Sequence, residues 1–273
     1  MGSAIGVFDS GVGGLTVVKE ILRQLPRERI VYFGDAARCP YGPRPAGEIR
    51  RFAEEIVAFL MQFPLKLLVI ACNTATAVAL ETLQERLPVP VVGVIQPGAR
   101  AAIKATKNGR IGVIGTIGTI RSRAYETAIL RVNPQVTVVS HACPELVPLV
   151  ESGVLRGPTA RAAVERALEP LQGSGIDTLI LGCTHYPLLQ PVIQDVMGDG
   201  VTLINSAEET AREISAILAH RGLLAENAPA DDGHRFFTSG DAALFRRIAE
   251  AWFGFPVDVR HTSPSMSLAR SPA

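Results

Sequence analysis

Two short runs carry the residue types best suited to chemistry. Residues 72–74 read Cys-Asn-Thr, and residues 183–185 read Cys-Thr-His. Each follows an apolar run, in LLVIACNTAT at 67–76 and DTLILGCTHYP at 177–187. An unperturbed thiol titrates near pH ~8.5, so a modest shift makes it an acid or a base at working pH. Two thiols facing one carbon suit a particular reaction. One removes a proton from one face as thiolate, and the other returns a proton to the opposite face of the planar carbanion. Inert core cysteines, a redox pair and a zinc site are the alternatives. No C-x-x-C occurs, and neither His141 nor His185 has a partner at metal-ligand spacing. The polar neighbours of Cys72 and Cys183 favour a functional reading. Cys39 and Cys143, each followed by proline, are read as inert core residues.

Both thiols need elements that carry them. The chain alternates strand-like and helix-like segments, as in AIGVFDS (4–10) then LTVVKEILRQL, and RIVYFGD (29–35) then GEIRRFAEEIVAFLMQF. The second of each pair shows helical apolar spacing, with Leu15, Val18, Ile21, Leu22 and Leu25 in the first. Such alternation predicts an α/β chain with mainly parallel sheets and helical crossovers. Ligands collect at the carboxyl ends of parallel strands. Four predicted strands end there in functional groups: Asp9-Ser10, Asp35, Cys72-Asn73-Thr74 and Cys183-Thr184-His185. A helix is expected after each cysteine, and its N-terminal amides would lower the thiol pKa. VPVVGV is read as a strand ending at IQPG, with a helix over ARAAIKATKNG.

A weak repeat runs through the chain. IGVFDSG at 5–11 echoes IGVIGTIG at 111–118, and the two cysteine runs echo each other 111 residues apart. Two similar α/β lobes facing each other across a cleft are therefore expected. The alternative is one doubly wound sheet whose buried strands merely look alike.

Bulk properties narrow the partners. A 47% hydrophobic content in 273 residues supports a packed core, and a net charge of +1 gives no support to nucleic acid or a membrane surface. No apolar run approaches the ~18 residues of a membrane span, and the start MGSAIGVFDSG has no secretory or transit pattern. A cytoplasmic location with reduced thiols is expected. GVGG and GTIGT do not fit a nucleotide-binding glycine loop, and no GK[ST] occurs. Only four of the 27 basic residues are lysines (Lys19, Lys66, Lys104, Lys107), and none sits at a loaded strand end, so a pyridoxal Schiff base has no place. Cofactors and metals: none expected. On spacing alone Asp9 is either a functional carboxylate or an Asx-turn residue, and Tyr41-Gly42 either a binding loop or a rigid turn.

Six motifs in order resemble the glutamate racemase family: FDSGVGGLTV, YFGDAARCPYGPR, IACNTATA, IGTIGTIRSRAY, ACPELVPLVESG and LGCTHYPLL. Leu146 departs from the family, standing where an aromatic residue is common. The resemblance implies cofactor-independent interconversion of L- and D-glutamate, supplying D-glutamate for peptidoglycan. It implies Cys72 and Cys183 as the two bases, assisted by Asp9 and His185. Ser10, Tyr41, Gly42, Asn73, Thr74 and Thr184 would bind the amino acid with them. It also implies a homodimer and two lobes, 1–97 plus 207–262 and 98–206, with crossings near Pro97 and Ser206. Residues 263–273 are expected to form a disordered tail. An aspartate or hydantoin racemase, or a non-catalytic protein binding an acidic amino acid, are the rival readings.

Overall fold

The computed structural model describes residues 3–226 and 233–264. Most of the polar break at 226–234 and most of the expected tail lie outside them. The larger of two parallel sheets is built from β1 (Ala4–Asp9), β2 (Ile30–Gly34), β3 (Leu65–Ile70), β4 (Val91–Gly93), β9 (Arg235–Thr238) and β10 (Val259–His261), in the order β10-β9-β2-β1-β3-β4. The smaller contains β5 (Arg110–Gly115), β6 (Thr137–Ala142), β7 (Thr178–Gly182) and β8 (Thr202–Asn205), in the order β6-β5-β7-β8. The order β2-β1-β3-β4 recurs as β6-β5-β7-β8, so the two halves of the sequence repeat are the two sheet centres. β9 and β10 extend only the larger sheet.

Both faces of each sheet are covered, which is why the strands read as continuous apolar runs. In β1 the pleat sends Ile5 and Val7 to one face and Phe8 to the other. The first face packs against α1 (Leu15–Gln24), α10 (Ser206–His220) and α11 (Ala242–Phe253). The second packs against α2 (Ala46–Leu60) and α3 (Asn73–Arg86). Ile114, Leu179 and Leu181 of the smaller sheet meet α7 (Leu146–Glu151), α8 (Gly157–Leu168) and α9 (Gln190–Met197). Ile111, Val113 and Ile180 meet α4 (Ile95–Ala105) and α6 (Ala124–Val132). Each fully buried Leu, Ile, Val or Phe contributes about 1.5–3 kcal/mol. No helix among the described residues is long and apolar enough to cross a membrane.

Local signals set the helix ends. Asn205 caps α10 by accepting from the Ala207 amide, and Asp241 caps α11 by accepting from Ala243 and Leu244. Gly254, at φ +79°, ends α11 in the left-handed conformation. One expectation needs correction. IQPG is the first turn of α4 rather than the end of a strand. Proline is tolerated there because a first-turn N–H has no intrahelical acceptor. The chain passes from the larger to the smaller sheet through α4 and returns at the start of α10.

Candidate active site

The carboxyl ends of both sheets meet around a small cavity of about 20 Å³. Ser10, Cys39–Gly42 and Cys72–Thr74 line it from the larger sheet. Thr116, Val147 and Cys183–His185 line it from the smaller. Nine of the ten sequence-predicted site residues are therefore in its wall.

The tenth, Asp9, is fully buried behind it. Its Oδ1 accepts from the Gly11 amide at 3.0 Å, and its Oδ2 from the Thr184 hydroxyl at 3.3 Å. Burial raises the Asp9 pKa, opposed by the charge of His185 and by hydrogen bonds from Gly11, Gly14 and Thr184. Asp9 is thus both an Asx-turn residue and a charge facing the cleft through Thr184. Glycine is required beside it. A methyl group on Gly13 would stand 2.4 Å from Thr184 Oγ1 and 2.7 Å from the His185 ring, so only hydrogen lets the lobes close here.

The two thiols occupy matching strand ends in different surroundings. Cys72 is the N-cap of α3, with its Sγ accepting from the Ala75 amide at 3.4 Å and lying 3.8 Å from the Ser10 hydroxyl. The helix terminus does not win, contrary to the sequence expectation. Burial, aided by the Asp9 charge, pushes the Cys72 thiol up to about 12, outweighing the Ala75 and Ser10 hydrogen bonds. After Cys183 the chain first makes a short 3₁₀ turn, Tyr186–Leu189, and the expected helix, α9, begins only at Gln190. Its Sγ lies instead 3.7 Å from His185 Nδ1. His185 Nε2 is 3.2 Å from Glu151 Oε1. Burial alone would lower the His185 pKa, but hydrogen bonds to Cys183 and Glu151, with the charges of Cys183 and Asp9, raise it to about 10. A protonated imidazole therefore faces this sulfur.

The remaining wall mixes Pro40 and Val147 with hydroxyl and amide groups. Thr74 Oγ1 is 2.8 Å from Thr116 Oγ1 and 3.1 Å from Thr119 Oγ1, a hydroxyl triangle spanning both lobes. Asn73 Oδ1 accepts from the Tyr125 hydroxyl at 2.7 Å, while its buried Nδ2 has no partner. A buried N–H of this kind favours an incoming acceptor such as a carboxylate. The Tyr41 phenol is committed to Asp35, and both Tyr41 and Gly42 line the cavity.

Sequence reasoning missed Glu151, Thr116 and Thr119, all of which stand in the quoted motifs with no spacing to single them out. It also misplaced Cys39. That thiol is partly exposed in the cavity wall and donates to Glu151 Oε1 at 3.7 Å, so it is no core residue. Cys143 is buried and bonded to the Ala167 carbonyl, as expected of a core cysteine. All four thiols are free, and among the described residues no group of three or more His, Cys, Asp or Glu could hold a metal ion.

Residues 5–214 match the family model for Asp/Glu/Hydantoin racemases. The chain belongs to this family. Its activity class is therefore that of an amino-acid racemase, an isomerase. It is 56% identical to a glutamate racemase of Bacillus cereus over 259 residues, covering 94% of this chain and 96% of that protein. Glutamate racemase isoform RacE1 from Bacillus anthracis superposes with a TM-score of 0.93 at 56% identity, covering 96% and 97% of the two chains. The Francisella tularensis glutamate racemase, solved with D-glutamate, gives 0.88 at 34% identity, covering 96% and 98%.

Proposed function

We propose that this racemase interconverts L- and D-glutamate without a cofactor, using Cys72 and Cys183 on opposite faces of Cα, and so supplies D-glutamate for peptidoglycan. One observation carries the reading: two free, buried thiols at matching strand ends of two sheets line one cavity. Close relatives named as glutamate racemases support glutamate over aspartate or a hydantoin. Among the described residues no lysine lines the cavity, so the acid–base groups are thiols and an imidazole. The lobes divide as 1–97 plus 207–262 and 98–206.

The geometry supports the following roles. Asn73 Nδ2, the Thr74 and Thr184 hydroxyls, Ser10 and the Tyr41-Gly42 main chain supply hydrogen bonds for two carboxylates and an ammonium group. Holding the amino acid between the sulfurs makes proton transfer effectively intramolecular. As one sulfur takes the Cα proton, the other, protonated, delivers its own to the far face. The reverse direction exchanges the roles. His185 compensates negative charge on Cys183, while Glu151 and Asp9 hold the imidazole charged. Ser10 and the Ala75 amide do the corresponding work for Cys72 with uncharged groups. Closure excludes water, which strengthens these interactions.

Turnover of L-glutamate, L-aspartate and a hydantoin without added cofactor tests this reading. Glutamate is expected to racemise at least about 10²-fold faster than the others, since unmatched carboxylate contacts leave buried donors unpaired. Preference for either alternative would overturn the assignment.

A further inference from the structure

A second polar cluster lies beneath the cavity wall. Asp35, fully buried at the end of β2, receives three side-chain hydrogen bonds. They come from Arg38 Nε at 2.7 Å, Ser239 Oγ at 2.7 Å and the Tyr41 hydroxyl. None of these groups belongs to the acid–base machinery. Ser239 is 204 residues away, just beyond β9, and its Oγ also accepts from the Ala37 amide at 3.1 Å. Arg38 continues to Glu55 on α2 and lies 4.0 Å above the Phe52 ring, which packs on the Tyr41 ring. A charged, buried group needs such partners, because leaving them unpaired costs more than the bonds gain.

What this cluster holds is the segment from Cys39 to Gly42, which lines the cavity. The same segment meets the second lobe. A methyl group on Gly42 would come within 2.8 Å of Thr116 Cβ, and one on Gly118 within 2.7 Å of the Gly42 carbonyl. The loop is thus pinned between a buried carboxylate on one side and the start of α5 (Ile117–Ser122) on the other.

We infer that Asp35 is a positioning residue for substrate binding: with Ser239, Arg38 and Tyr41 it sets the main chain of the 39–42 loop against the substrate and couples β9 to affinity. This rests on the proposed function, since the loop is taken to bind the amino acid. Asp35 touches no reacting atom. Its loss therefore raises KM rather than slowing proton transfer.

The test compares Ser239→Ala, Tyr41→Phe and Asp35→Asn with the unaltered enzyme, using glutamate kinetics and amide hydrogen exchange over residues 36–44. Failure of the unaltered enzyme to racemise glutamate would count against the substrate assignment, and exchange then decides the inference alone. KM is expected to rise about threefold to tenfold for single-bond losses and more for Asp35→Asn, with kcat changed less than about threefold. Loop amides should exchange faster in each variant. Should Asp35→Asn not fold, the two milder variants carry the test. Unchanged KM with unchanged loop exchange would overturn the inference. So would a fall in kcat at constant KM, which would place the cluster in the chemical step.

Discussion

The Cys72 and Cys183 ends of the cleft arise from the same strand position in a repeated sheet, yet are solvated by different means. Cys72 rests on neutral groups: it accepts from the first-turn amide of Ala75 and donates to the Ser10 hydroxyl oxygen. Cys183 faces an imidazole paired with Glu151. The difference shows that a repeated scaffold fixes where a sulfur stands, while its loops decide which groups face it. Burial pushes Cys72 up to about 12, so its resting form at neutral pH is the thiol. On the Cys183 side it is the imidazole whose pKa is raised, to about 10.

Deleting either sulfur should erase the comparison. Cys72→Ala and Cys183→Ala are each expected to lower kcat by at least about 10³-fold, with glutamate still binding. Optical rotation and calorimetric binding check both halves. Normal turnover in either variant would contradict the two-thiol account.

Removing the charged partner should sharpen it. His185→Asn is expected to lower kcat/KM by about 10²-fold and to slow alkylation of Cys183 more than that of Cys72, read by peptide mass spectrometry. Stability adds an independent check. The folded pKa of His185, about 10, exceeds its ordinary 6.5. Its contribution is thus full below pH 6.5 and is lost as pH rises through about 10. The Tm gap between the unaltered protein and His185→Asn should shrink across that window; a constant gap would show that the imidazole is not charged by its surroundings.

A smaller perturbation acts on the distance between the two ends. Gly13→Ala pushes a methyl group into Thr184 and His185. A displacement approaching 1 Å should lower kcat by about tenfold to 10²-fold with little change in fold, as followed by kinetics and circular dichroism. Cys143→Ala, outside the cavity wall, should leave kcat nearly unchanged and cost about 1 kcal/mol in denaturant unfolding.

These comparisons show what the sequence carried. The two cysteine runs, their apolar strands and the offset repeat were legible because buried parallel strands are nearly continuous apolar segments. The groups around the cysteines, including Asn73, Thr184 and His185, were legible as neighbours in sequence. Glu151 and Thr116 were not, because they reach the cleft from other elements and their partners lie 34 and 42 residues away. Cys39 was misread since a cysteine before proline looks alike in a core and in a cavity wall. The sign of the Cys72 shift was also misread: sequence shows the helix start but not the depth of burial that outweighs it.

The most direct test of two bases on opposite faces is racemisation of L-glutamate in D₂O, following the Cα isotope in substrate and product from the first turnovers. The account predicts that D-glutamate carries deuterium from the outset while unreacted L-glutamate keeps its Cα proton, because the thiol that donates is not the one that abstracts. D-glutamate that retains the original proton would contradict it and indicate a single base serving both faces.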